Sequence, residues 1–224
     1  IVGKVSTEFE KEIKKIKKKN VVFLKPKVLL SNKKEEFFEF RSDIDQAHLC
    51  LGFCMPKLSS KKKYAAQLFN ALLGEGMSSR LFQEIREKRG WAYSIHSSLS
   101  PFSDAGLLTI YAGVGKSTLQ DVLKQIKEEL HKIKVEKVDH NELLRAKEHI
   151  KGQRLLSSES SGYHMMKLGK NEIYLDRYMP EEEVLQKIGG VTEDDILDLA
   201  SSIFRKEDLS ITVLGEAEEK IPDD

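Results

Sequence analysis

Gln46-Ala47-His48-Leu49-Cys50-Leu51-Gly52-Phe53-Cys54-Met55 carries Leu49, Leu51, Phe53 and Met55 in strict alternation with His48, Cys50, Gly52 and Cys54. Successive strand side chains point to opposite faces, so both faces of this segment are largely apolar and it reads as the central strand of a sheet. A second strand candidate, Glu35 to Ser42, precedes it across the polar Asp43-Ile44-Asp45 turn, and the two suit a hairpin. Downstream the period changes to that of a helix from Ser59 to Leu73, breaks at Gly74-Glu75-Gly76, and resumes from Ser79 to Lys88 with Ser78 or Ser79 available as an N-cap. Tyr93 to Ser100 and Leu107 to Val114 form a second strand pair. The rest is mostly helical: Leu119, Val122, Leu123, Ile126, Leu130 and Ile133 make one apolar stripe, Asp139-x-x-Glu142 is a capping box for the next helix, and Thr192-x-x-Asp195 offers a further helix start. A last strand at Ser210 to Leu214 closes the unit. Neighbouring strands joined by short turns predict an α+β fold, a largely antiparallel sheet with helices packed on one face.

Both termini extend this outline. Ile1-Val2-Gly3-Lys4-Val5 has the sense of a strand ending in Gly, as does Ile211-Thr212-Val213-Leu214-Gly215, and Phe9, Ile13 and Ile16 follow at helical spacing. The economical reading is that residues 1–19 end a preceding, similar unit, that residues 20–36, with Pro26 and Ser31-Asn32, are a linker, and that residues 37–224 are one complete domain. The missing initiator Met marks the chain as a possible fragment.

Composition excludes several classes. The 224 residues include 37 basic and 36 acidic ones, a formal charge of +1, which gives no global field for nucleic acid or anionic lipid. The runs Lys14-Lys15-Ile16-Lys17-Lys18-Lys19 and Lys61-Lys62-Lys63 fall on predicted amphipathic helices without aromatic interleaving, so they read as solvated faces. No apolar stretch reaches the roughly 18 residues of a membrane span. The expected partners therefore include neither nucleic acid nor membrane. Cys50 and Cys54 stand about 13 Å apart along an extended strand, beyond disulfide reach, and are expected to be buried free thiols in a reducing, cytoplasmic compartment.

Catalytic motifs are equally sparse. A hydrolytic zinc site needs converging imidazoles and carboxylates, yet the sequence has neither H-E-x-x-H nor H-x-x-E-H. Arg145-Ala146-Lys147-Glu148-His149 comes closest, but a guanidinium cannot ligate a cation. There is no G-x-S-x-G elbow. Gly113-Val114-Gly115-Lys116-Ser117 lacks the first P-loop glycine, position 110 being Ile, and reads as a strand running into a helix cap.

The stretch Leu72-Leu73-Gly74-Glu75-Gly76-Met77-Ser78-Ser79-Arg80-Leu81-Phe82-Gln83-Glu84-Ile85-Arg86-Glu87-Lys88-Arg89-Gly90-Trp91-Ala92-Tyr93-Ser94 resembles the signature block in the second half of bacterial processing-peptidase-like members of the insulinase/pitrilysin family of zinc peptidases. The similarity continues through Gly190-Val191-Thr192-Glu193-Asp194-Asp195-Ile196 to Val213-Leu214-Gly215. It implies tandem α+β domains closing around a peptide, with the H-x-x-E-H helix in the first. Counted back from Gly76, that motif would fall on Gln67-Leu68-Phe69-Asn70-Ala71, so this chain is expected to hold no zinc of its own. A zinc-bearing N-terminal domain or subunit is then the implied partner and a short or unfolded peptide the implied substrate. The resemblance assigns the family's Arg and Tyr, seven apart, to Arg86 and Tyr93, where a guanidinium would hold substrate carbonyls and a phenol would donate to a developing oxyanion. On spacing alone Arg86 is one more surface charge and Tyr93 a packing aromatic. Arg80 and Arg89 are secondary candidates, expected to be structural or rim charges, and Gly90 is expected to permit the helix-to-strand turn. The whole protein is expected to be a zinc metallopeptidase and this chain alone inactive; the alternative is a non-catalytic scaffold or partner subunit of a two-subunit peptidase.

Overall fold

The computed structural model describes residues 6–15, 35–204 and 209–216. Five strands form one sheet in the order β1-β5-β2-β4-β3: β1 is Glu35–Phe40, β2 Ala47–Met55, β3 Ala92–Pro101, β4 Gly106–Val114 and β5 Ser210–Gly215. All pairings are antiparallel except β1 with β5. The helices are α1 Thr7–Lys14, α2 Lys63–Leu73, α3 Leu119–Val135, α4 His140–Ser157, α5 Ser161–Leu175, α6 Glu181–Gly189 and α7 Glu193–Ile203. The α+β reading holds. Most of the expected linker, and Ile1–Val5, lie outside the described residues.

The sheet is covered on one side. Ala47, Leu49, Leu51, Phe53 and Met55 of β2 are buried together with Leu68, Phe69, Val122, Ile126, Ile196 and Leu199 of α2, α3 and α7. Every residue of the stripe predicted for α3 is in this core. β2 is central, as its two apolar faces suggest, but its alternate residues His48, Cys50, Gly52 and Cys54 are only half-buried, because no described helix covers that side. The expectation of buried cysteines is thus corrected to half-buried thiols on an open sheet face. Neither forms a disulfide, and burial raises the Cys50 thiol above its ordinary range.

β1 departs from the expected hairpin. It does not form a hairpin with β2, since β5 lies between them. Ile211 and Val213 of β5 face Leu51 and Leu49 and are almost wholly buried, whereas β1 is Glu-Glu-Phe-Phe-Glu-Phe with only Phe38 turned toward the core. The more apolar strand takes the interior and the charged one the edge. Arg41, whose fork holds Asp43 at 2.7 Å and whose N–H donates to the Gly215 carbonyl, fixes the crossing of the chain at that end of the sheet.

The capping signals divide. Thr192 and Asp195 form the full reciprocal box at the start of α7. Asp139 caps α4 by accepting from the N–H groups of Asn141 and Glu142, but Glu142 does not reach back; its carboxylate is taken by Arg80. Among the described residues no helix is long and apolar enough to cross a membrane.

Candidate functional site

The helix expected over Ser79 to Lys88 is present over residues 80–87, but Phe82–Glu87 winds as a π-helix, in which Lys88 N–H donates to the Gln83 carbonyl five residues back. Neither Ser78 nor Ser79 caps it; the Ser79 hydroxyl donates backward to the Gly76 carbonyl. The wider winding keeps Ile85 fully buried and leaves Arg86 exposed. Gly90, at φ 64°, then turns the chain, and Trp91 N–H donates to the Ile85 carbonyl, tying the turn to the start of β3.

The charges of this turn sort themselves. Glu84 takes both Lys88 and Arg89, the latter at 2.9 Å, and these two cations hold its carboxyl below the usual range. Arg89 also lies over the half-buried Trp91 ring at 5.3 Å, consistent with a structural role. Arg80 forms a two-pronged bond with Glu142, both at 2.7 Å and both largely shielded, binding the turn to α4. Arg86 has no carboxylate partner among the described residues and rests on Phe82, 5.0 Å from its ring centre.

Tyr93 is held differently. Ala92 pairs with Val114 and Ser94 with Gly113, so Tyr93 is the extra residue of a β-bulge. It is 63% exposed, and its hydroxyl bonds to no described residue. Arg86 and Tyr93 thus flank the single turn of chain from the π-helix to β3, both facing solvent with donors unspent. The bulge and the π-turn were not legible in the sequence, although Gly90 marked the place.

Beside this corner the open sheet face carries a row that sequence reading did not single out. His48 Nδ1 lies 2.8 Å from the Tyr111 hydroxyl, and the His96 ring is 5.2 Å from the Tyr111 ring. Their cross-strand register, with His96 opposite Tyr111 and Gly113 opposite His48, brings them together. The alternation of Ser94, His96, Ser98 and Ser100 was the available signal.

The positions where a zinc motif would stand do not fit a metal. Asn70 is buried; its amide carbonyl accepts from the Ser97 hydroxyl at 2.8 Å and its NH2 donates to Glu75 at 2.7 Å. Gln67 presents one unpartnered buried oxygen, and Ala71 presents none. Among the described residues no group of three His, Cys, Asp or Glu could hold a metal ion. This corner of α2 serves as a hydrogen-bonded clamp on β3. Arg80→Met should lower the unfolding free energy by about 2 kcal/mol, since it leaves Glu142 shielded and unpaired. An unchanged urea midpoint would refute the structural role.

A model of the peptidase M16 inactive domain matches residues 1–150. An uncharacterized zinc protease of Bacillus subtilis, YmxG, is 37% identical over 175 residues, which cover 78% of this chain and 42% of the relative. An uncharacterized zinc protease of Rickettsia felis is 39% identical over 163 residues, covering 72% of this chain and 39% of the relative. The chain therefore spans about two-fifths of the curated relatives it matches. In fold it is similar to a protease from Helicobacter pylori, with a TM-score of 0.82 at 20% identity over 96% of this chain and 53% of that one. With the family match extending over two-thirds of its length, this chain belongs to the peptidase M16 inactive domain family and is a non-catalytic domain of a zinc-protease-like protein.

Proposed function

We propose that this domain holds short or unfolded peptides against a zinc site carried by an upstream domain or a partner subunit. The observation that carries the reading is that Arg86 and Tyr93, at either end of the turn between the π-helix and β3, are both exposed, their side chains meeting no polar partner among the described residues. Zinc, bound elsewhere in the intact protein, would supply the activated water. In this chain the Tyr93 phenol would donate to the oxygen on which charge builds, and the Arg86 fork would hold substrate carbonyls in register. Residues 1–19 are read as the end of the zinc-bearing unit and residues 20–36 as the linker to it. The two thiols outside any disulfide support a reducing, cytoplasmic setting.

In the intact peptidase, Tyr93→Phe is expected to lower kcat about 100-fold with little change in KM, because an oxyanion donor acts mainly in the transition state. Arg86→Ala is expected to raise KM about tenfold, the sign of lost ground-state positioning. Peptide hydrolysis by both variants at the parent rate would sink the assignment. The 224-residue chain alone, supplied with zinc, should not cleave peptides; chelator-sensitive cleavage by it would place the metal here instead.

A further inference from the structure

A cavity of about 670 Å³ opens on the helical side, away from Arg86 and Tyr93, between the start of α2, the α5–α6 connection and the α6–α7 turn. Its size falls within the usual range for small-molecule sites. Five cations line it: Lys61, Lys62, Lys63, Arg177 and Lys187; its carboxylates are Asp195 and Asp198. Asp195 is committed to the cap of α7.

Pairing leaves the surplus in place. Glu183 accepts Arg177 at 2.6 Å and Lys187 at 2.9 Å, one carboxylate serving two cations. Behind it Glu181 likewise serves both Arg154 and Lys167. Lys63 is half-buried, and among the described residues its ammonium meets no carboxylate; it stands 5.2 Å from the centre of the Tyr64 ring, with Lys187 at 5.9 Å from the same ring. Burial, and then the Lys187 and Arg177 charges, push Lys63 below its ordinary range. In a chain of formal charge +1, this is a local concentration of unneutralised positive charge inside a concavity.

The neighbouring backbone compounds it. The run Lys61-Lys62-Lys63, expected on the solvated face of a helix, instead straddles the first residue of α2, where no side chain caps the helix and its first turn has no acid. Cations there oppose the helix dipole. Leu175, Met179 and Val191 supply apolar wall beside the charges.

We propose that this cavity binds a small phosphate-bearing anion of at least two negative charges, Lys63 and Lys187 being its principal contacts and the apolar wall taking any organic portion. A phosphate would neutralise the surplus that Glu181 and Glu183 leave, at the helix end suited to it.

Titration calorimetry of the 224-residue chain with inorganic pyrophosphate and with adenosine 5′-diphosphate tests this. Both are expected to bind one to one, and Lys63→Gln and Lys187→Gln should each weaken them about tenfold, the usual worth of a charge-assisted contact. Lys88→Gln, on the π-helical turn, should leave both affinities unchanged. Melting temperatures establish that the variants fold; Lys63→Gln should melt no lower than the parent, since it removes repulsion. Tighter binding of the diphosphate nucleotide than of pyrophosphate would assign the apolar wall to an organic group, and equal binding would assign the site to the phosphates alone. Absence of saturable binding, equal weakening by Lys88→Gln, or tighter binding of citrate than of either phosphate would overturn the proposal.

Discussion

Gly74→Ala is expected to destabilise the domain by about 3 kcal/mol, within the cost of forcing atoms into a filled space. A Cβ at this position would lie 2.5 Å from the Ser97 backbone nitrogen and 2.6 Å from its hydroxyl. The same Ser97 N–H donates to the Gly74 carbonyl at 3.0 Å, and its hydroxyl donates to Asn70, so the intrusion spreads through the clamp between α2 and β3. Strand and helix would have to part, and the buried Asn70 would lose its acceptor role. Gly152, inside α4 with nothing within 4 Å of its would-be Cβ, is the internal control. There the same change should stabilise by up to about 1 kcal/mol, since alanine is the better helix former. Urea unfolding of both variants distinguishes steric intrusion from a generic effect; a Gly74→Ala midpoint equal to the parent's would show that the helix and strand are not in contact as described.

Phe69→Ala should cost about 4 kcal/mol, in the range for a buried aromatic truncated to a methyl. Phe69 is fully buried on α2, its ring 5.3 Å from that of Phe204, which in turn meets Phe53 of β2 edge-on at 4.8 Å. The three rings join α2, the residue after α7 and the central strand. Domains of this kind have only about 5–15 kcal/mol in hand. The variant should therefore melt far below the parent, with loss of near-ultraviolet aromatic dichroism; retention of the parent melting temperature would mean that the cluster is not the junction of the core.

The periodicities that bury apolar faces were legible. β2, α3 and the start of α7 follow directly from alternation, stripe and cap residues, because each depends on neighbours a few positions away. Partner choice among strands was not: the short turn between β1 and β2 suggested a hairpin, whereas the order was decided by Ile211 and Val213, more than 170 residues on, competing for the buried slot. The site divides in the same way. Arg86 and Tyr93 are named from the signature block, and the structure adds that both side chains are exposed. The π-winding and the bulge could not be read from it, since both are register adjustments imposed by fitting Ile85 into the core while β3 pairs with β4. Lys63 was misjudged as solvated because a lysine run carries no sign of which neighbours will crowd it.

The interior place of β5 also constrains how this chain comes to fold. Among the described residues, residues 35–40 pair in the sheet with residues 210–215, and the central strand has only one of its two described neighbours until that same segment arrives. During synthesis β2, β3 and β4 can pair while β1 waits for β5, its described partner, to emerge from the ribosome. Completion of the sheet is thereby coupled to the arrival of residues 210–215, and a chain released before residue 210 would expose unsatisfied strand edges of β1 and β2 to its neighbours.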